Sequence, residues 1–309
     1  MLLPPEDVDL DLLRRVVASQ YEGAFGDLEF VPLGEDSWAY RLGGLWVSLR
    51  RDLRGHVPAA YRVATLLREA GLQHVLAPLS GADGRVVRLV DGCPVVVFPL
   101  VHAEQVARAR PTAEESEHII AMIEEVHSAR APHDLPVEDF TLSFDADLDA
   151  ATAFARGPEP AGGYPARLHR LLRAHRRELL DLRAEARRAG RECAASFEAR
   201  GITHGEPSAA NVLRTPEGLV LADWGGAAAG PPERDWFHVG RTLGIDVTGR
   251  CRDTFLRFYE TRWILSEVAE YSTRFMGQRA GDREDEAMWG RLLRYLPGDR
   301  LTGDVQTAV

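Results

Sequence analysis

Between Thr203 and Gly226 the chain reads THGEPSAANVLRTPEGLVLADWGG. Within it stand Glu206, the chain's only asparagine at 211, and Asp223. Val212 to Arg214 and Leu219 to Ala222 are short apolar runs joined by Thr-Pro-Glu-Gly, a hairpin signal. Folding that hairpin brings Asn211, just before one strand, close to Asp223, just after the other. An amide oxygen beside a carboxylate makes a hard oxygen site suited to Mg2+. Glu206, on the loop before the hairpin, is placed to accept a proton from an incoming hydroxyl. Metal on phosphate together with a carboxylate that orients a nucleophile are the working parts of phosphoryl transfer. His204 shares the candidate catalytic loop with Glu206, as a second catalytic candidate or as a group that braces the loop. His-x-Glu also opens a zinc-deaminase signature, but no Pro-Cys-x-x-Cys follows, and a zincin lacks its second histidine here.

These residues need elements to hold them. A helix is expected early, with apolar residues at Val8, Leu12, Leu13, Val16 and Val17. Phe30-Val31, Trp38 to Leu42 and Leu45 to Leu49 read as extended, the last two joined by the turn pair Gly43-Gly44. A helix follows with Pro58 at its first turn and Gly71 just past its end. Arg85 to Val90 and Cys93 to Phe98 form a second hairpin, turned at Asp91-Gly92. After Pro99 the pattern becomes helical. Thr112 with Glu115 makes a capping box before Ile119, Ile120, Ile123 and Val126, and residues 165–194 read as one long Arg-rich helix. Helices return from about Pro232 to Leu296. The fold class is therefore α+β: a sheet-rich lobe over residues 1–99 and a mainly helical lobe over 100–309.

Composition narrows the chemistry further. All 37 basic residues are arginine, so no step can use a lysine as Schiff base, general base or phosphate anchor. The net charge of −10 disfavours nucleic acid and anionic membrane as partners and suits a cationic small molecule. Cys93, Cys193 and Cys251 are isolated from one another, against a disulfide framework. No apolar run reaches membrane-span length and no signal-peptide pattern opens the sequence, so a cytoplasmic location is expected.

His204-Gly205-Glu206 with Asn211 and then Asp223-Trp224-Gly225 resembles the catalytic and metal loops of the aminoglycoside phosphotransferase family, relatives of the protein kinases. VVVFPLVHAEQ is similar to that family's hinge, and PPERDW to its following helix, where the acid, here Asp235, braces the catalytic loop. TRWILSEVAEYSTRF and GDREDEAMW resemble the C-terminal helices of its spectinomycin phosphotransferase-like branch. The resemblance spans nearly the whole chain. It implies a bilobal protein-kinase-like fold and Mg2+-dependent transfer of the γ-phosphate of ATP or GTP to a hydroxyl of a small molecule. The implied nucleotide contacts are Ser37, Ser48, Arg50, and the backbone of the hinge at Phe98, Leu100 and Val101.

The chain also departs from that pattern. The family's small-lobe lysine falls at Ser48, and no acid lies between Pro58 and Arg68 to partner one. Strand alternation puts Arg50 on the face of Ser48, from which a guanidinium could grip a phosphate. Glu206 stands where most of the family has Asp, and Gly34-Glu35-Asp36-Ser37 is a poor glycine-rich loop. A catalytically degenerate binding protein of the same fold is the alternative, with a modifier of a ribosomal peptide Ser/Thr, a nucleotidyl transferase or an acyl transferase beside it.

Overall fold

The computed structural model describes residues 3–5, 7–33, 37–53, 55–198 and 201–296. In chain order, α1 (Leu10–Gln20) is followed by β1 (Glu29–Val31), β2 (Ser37–Leu42), β3 (Leu45–Arg50), α2 (Pro58–Glu69), β4 (Val87–Val90) and β5 (Cys93–Pro99). Next come β6 (Glu104–Gln105), α3 (Ala113–Ser128), α4 (Asp145–Arg156), α5 (Gly163–Ala174), α6 (Arg176–Ser196) and β7 (Gly201–Thr203). β8 (Val212–Thr215), β9 (Gly218–Leu221), β10 (Ala228–Gly230), α7 (Glu233–His238), α8 (Asp253–Met276) and α9 (Arg283–Tyr295) complete it. The elements fall into two compact units, Met1–Glu138 with Ala199–Thr248, and Asp139–Glu198 with Gly249–Val309. The junction at residue 99 therefore lies inside the first unit.

The first unit opens with a five-stranded sheet of order β1-β2-β3-β5-β4, antiparallel throughout. Its turns follow from the residues that make them. Asp91 and Gly92 both take positive φ, 51° and 79°, the backbone of a tight hairpin whose twist matches the strands. Gly43, at φ 59°, lies so close to the Gly23 carbonyl that a Cβ there would overlap it. One face of the sheet packs Tyr40, Leu42, Val47, Leu49, Val95 and Val97 against Leu13 and Val17 of α1. Each such side chain contributes about 1.5–3 kcal/mol by leaving water. The other face carries Val96 and Phe98 toward Tyr61 of α2. Further along, β8 and β9 form the hairpin inferred from Thr-Pro-Glu-Gly, with β6 at its outer edge. β7 and β10 pair antiparallel beside α3. At α3 the capping box is complete: Glu115 N–H donates to Thr112 Oγ1 at 3.1 Å and Thr112 N–H donates back to Glu115 Oε2 at 2.8 Å.

The second unit is helical. α8 runs 24 residues and packs against α4, α5, α6 and α9. Leu168, Leu172, Phe275, Trp289 and Leu292 form its main core. The single helix expected over 165–194 is instead two, α5 and α6, divided at His175. The buried face of α5 includes Tyr164, Leu168, His169 and Leu172, whereas that of α6 is Arg183 with the small residues Ala186, Ala189, Gly190 and Cys193. The small residues of α6 admit a close approach: a Cβ on Gly190 would come within 2.5 Å of the Phe140 carbonyl. Arg183 ties α6 to the start of α4, donating to Asp145 and Asp149 at 2.6 Å each.

Candidate active site

The β8–β9 hairpin sets the first half of the site. Val212 pairs with Leu221, so Asn211 and Ala222 lie opposite one another, and Ala222 N–H donates to the Asn211 carbonyl at 2.8 Å. Asp223 is the next residue. It takes the left-handed conformation, φ 64° and ψ 61°, which a short polar side chain tolerates better than a branched one. Its carboxylate side chain is 46% exposed, and the neighbouring cation-capable group is His56, with Nδ1 4.0 Å from Oδ1. Asn211 turns its amide nitrogen inward, donating to the Glu206 carbonyl at 2.9 Å, which leaves Oδ1 as its outward-acting atom. The six residues from Glu206 to Asn211 are thus closed by their own asparagine. Glu206 itself is exposed.

Beneath this loop lies a buried frame. Asp235 has no solvent exposure and accepts from three donors: His204 N–H at 2.8 Å, Gly205 N–H at 2.7 Å and His127 Nε2 at 2.9 Å. Burial alone would raise its pKa, but the His127 hydrogen bond and the surrounding positive groups outweigh that and hold it at about 2. His204 is sealed from solvent as well. Its Nε2 donates to the Ala222 carbonyl at 2.8 Å and its Nδ1 accepts from Glu206 N–H at 3.2 Å, so both ring nitrogens are spent on backbone. Burial pushes the imidazole below its ordinary pKa against the pull of Asp235 and Asp223. It is therefore a neutral clamp joining the Glu206 loop to the Asp223 turn. Its ring also meets Trp224 edge to face at 4.7 Å.

Sequence reasoning missed several members of this frame. Arg234 donates to Thr203 Oγ1 at 3.1 Å and to the Gly226 carbonyl at 2.8 Å, and pairs with Glu138 at 3.2 Å. A Cβ on Gly205 would strike that guanidinium, which is why a glycine with φ 103° stands there. Thr242 accepts from Ala209 N–H at 3.0 Å, from one turn of π-helix over Val239–Leu243. Arg214 grips Glu115 at 2.6 Å, fixing the hairpin to the start of α3; that bond, with the Thr112 N–H, holds the Glu115 carboxyl at about 2.

On the sheet side, Ser48 pairs with Ala39 and Val96, and Arg50 pairs with Ser37. Ser48 and Arg50 are both buried, on the face that carries Val96 and Phe98. Arg51 takes the opposite face and stacks over Trp38 at 5.2 Å. Phe98 and Leu100 are half-buried, as is Val101, but the Leu100 N–H already donates to the Gly44 carbonyl at 2.9 Å. That amide belongs to the turn and is not offered to a base. Gly34, Glu35 and Asp36 of the expected phosphate loop lie outside the described residues; of that loop only Ser37, at the start of β2, is placed.

Residues 30–271 match the model of the phosphotransferase enzyme family, well over half the chain. The chain belongs to this family. Protein StrN of Streptomyces griseus is 47% identical over 314 residues, covering 97% of this chain and 98% of that protein. The structure of a spectinomycin phosphotransferase in complex with ADP and spectinomycin superposes with a TM-score of 0.75 at 13% identity, over 92% of this chain and 93% of that one. A choline/ethanolamine kinase family protein from Mesorhizobium loti gives 0.53 at 16% identity, over 92% of each chain. The fold is therefore the kinase-like one that the H-G-E, Asn and D-W-G order implied.

No set of three or more His, Cys, Asp or Glu side chains that could hold a metal occurs among the described residues. The donor set still fits Mg2+. That ion keeps several waters and binds through one or two protein oxygens plus substrate phosphates, and the exposed Asp223 carboxylate with the Asn211 amide oxygen has that donor chemistry.

Proposed function

We propose that this phosphotransferase moves the γ-phosphate of ATP or GTP to a hydroxyl of a small molecule, with Mg2+ as cofactor. The observation that carries the reading is a contrast: Glu206 and Asp223 are exposed, while the backbone beside them is clamped by the buried His204 and Asp235 and by the half-buried Arg234. A frame of that rigidity around two open carboxylates is pre-organisation for chemistry. Asn211 Oδ1 and the Asp223 carboxylate would hold Mg2+, which supplies neutralisation of phosphate charge. Glu206 orients the acceptor hydroxyl and takes its proton as the acceptor oxygen bonds to phosphorus; the bond from phosphorus to the bridging oxygen breaks and the nucleoside diphosphate leaves. Arg50, buried on the Ser48 face, meets the phosphates from the sheet side with Ser37 and Ser48, and Phe98 and Val101 flank the base. The negative chain favours a cationic acceptor.

The test pairs a panel of hydroxylated cationic small molecules with ATP or GTP and Mg2+, with products read by mass spectrometry. Phosphorylated acceptor is expected with the natural chain and none with Asp223→Ala. Ser48 in place of a cation, with no acid from Pro58 to Arg68, favours a second reading as a kinase-fold binder without turnover. A thermal shift with nucleotide that is indifferent to Mg2+ supports that second reading.

A further inference from the structure

His56 lies just before α2, outside every motif that pointed to the site. Its ring is nearly buried, and its Nδ1 lies 2.6 Å from the Tyr61 hydroxyl, one turn into that helix. Tyr61 is itself buried and meets Phe98 edge to face at 6.5 Å. The same Nδ1 lies 4.0 Å from Asp223 Oδ1. Two further contacts join this segment to the Asp223 turn. Val57 N–H donates to the Gly225 carbonyl at 3.0 Å. A Cβ built on Gly225 would overlap the His56 ring, so glycine at 225 is what admits the imidazole. Gly225 is not among the glycines of positive φ, so the close approach, not the twist of the chain, requires it.

We propose that His56, held by Tyr61, is a positioning residue that fixes the Asp223 carboxylate for its metal. The 2.6 Å hydrogen bond between Nδ1 and the Tyr61 hydroxyl anchors the ring, and the anchored ring bounds the carboxylate side of the turn at 4.0 Å without bonding to it. It limits the rotamers of a side chain that is otherwise open to water. The role is that of an outer partner to a metal ligand, whose loss costs roughly 10-fold or more in metal affinity. It rests on the reading of Asp223 as the metal carboxylate.

The experiment uses the full chain and titrates Mg2+ against thermal stability in the presence of a non-hydrolysable ATP analogue, beside nucleotide binding without metal. His56→Ala is expected to weaken the apparent Mg2+ affinity roughly 10-fold while metal-free nucleotide binding stays within about twofold. His56→Asn, whose amide reaches the Nδ1 position, restores most of the loss. Gly225→Ala, which drives a methyl group into the ring, reproduces the loss. The double variant His56→Ala with Gly225→Ala is no worse than His56→Ala, because the ring the methyl displaces is already gone. Full Mg2+ response in His56→Ala overturns the role of His56 alone. Additive losses in the double variant also overturn it, as does an equal fall in metal-free binding, which marks a merely structural residue. A natural chain with no Mg2+ response at all overturns the metal reading of Asp223 and this inference with it.

Discussion

Asp223 and Asp235 are twelve positions apart and are used in opposite ways. Asp235 is fully buried, accepts three hydrogen bonds and is held at about 2, far below the usual carboxylate range. Asp223 is nearly half exposed, in a left-handed backbone conformation, with a histidine nearby. Between them stands His204, whose N–H donates to the Asp235 carboxylate and whose ring bonds the Ala222 carbonyl just before Asp223. The lesson is a division of labour. The buried acid spends three hydrogen bonds on shaping the loop, and the open one keeps its carboxylate in solvent.

That division is broken most severely at the open acid. Asp223→Ala is expected to lower turnover by roughly a thousandfold or more, because several kcal/mol of transition-state charge stabilisation go with the metal. Its stability should move by less than about 1 kcal/mol, as for an exposed site. Asp235→Ala should do the reverse in urea unfolding, costing about 3 kcal/mol or more, since His127 and two backbone N–H groups lose a buried charged partner. A pair of variants with matching stability loss would erase the contrast. Glu206→Gln sharpens it on the same loop: nucleotide binding is kept, while turnover falls by roughly a hundredfold, the scale of a lost general base. Unchanged turnover removes Glu206 from the mechanism.

On the sheet side the comparison is between neighbours. Arg50→Ala should weaken nucleotide binding by about 1.5–3 kcal/mol, the scale of a charged hydrogen bond, as read by calorimetry. Arg51→Ala, whose guanidinium stacks on Trp38 across the sheet, should leave affinity unchanged. Equal losses would mean a general charge effect rather than a phosphate contact.

The smallest effect is in acid. Because the folded pKa of Asp235 lies below its ordinary value of 3.8, its contribution is fully present above that value and is lost as pH falls through about 2. On the order of 2 kcal/mol of stability should disappear over that window in acid unfolding, and Asp235→Asn should lack that component.

The fold was readable where turns and caps are local. Gly43-Gly44, Asp91-Gly92 and Thr-Pro-Glu-Gly each specify a hairpin from a few adjacent residues, and Thr112 with Glu115 starts α3. The division at His175 was not readable, because an unbroken run of helix-forming residues carries no local signal for a break there. The site shows the same limit. Glu206, Asn211 and Asp223 share one short segment and a hairpin register. Their supports come from afar: His127 meets Asp235 across 108 positions, and His56 reaches the Asp223 turn from before α2. No periodicity connects such residues. Leu100 is a different case, since a hinge amide reads as available until its bond to Gly44 is seen.

The central claim is that Asp223 with Asn211 makes nucleotide binding depend on Mg2+. Calorimetric titration of a non-hydrolysable ATP or GTP analogue, with and without Mg2+, tests it on the natural chain and on Asp223→Ala. Mg2+ is expected to tighten binding to the natural chain and to do nothing for Asp223→Ala. Equal Mg2+ dependence in the two proteins, or none in the natural chain, would contradict it.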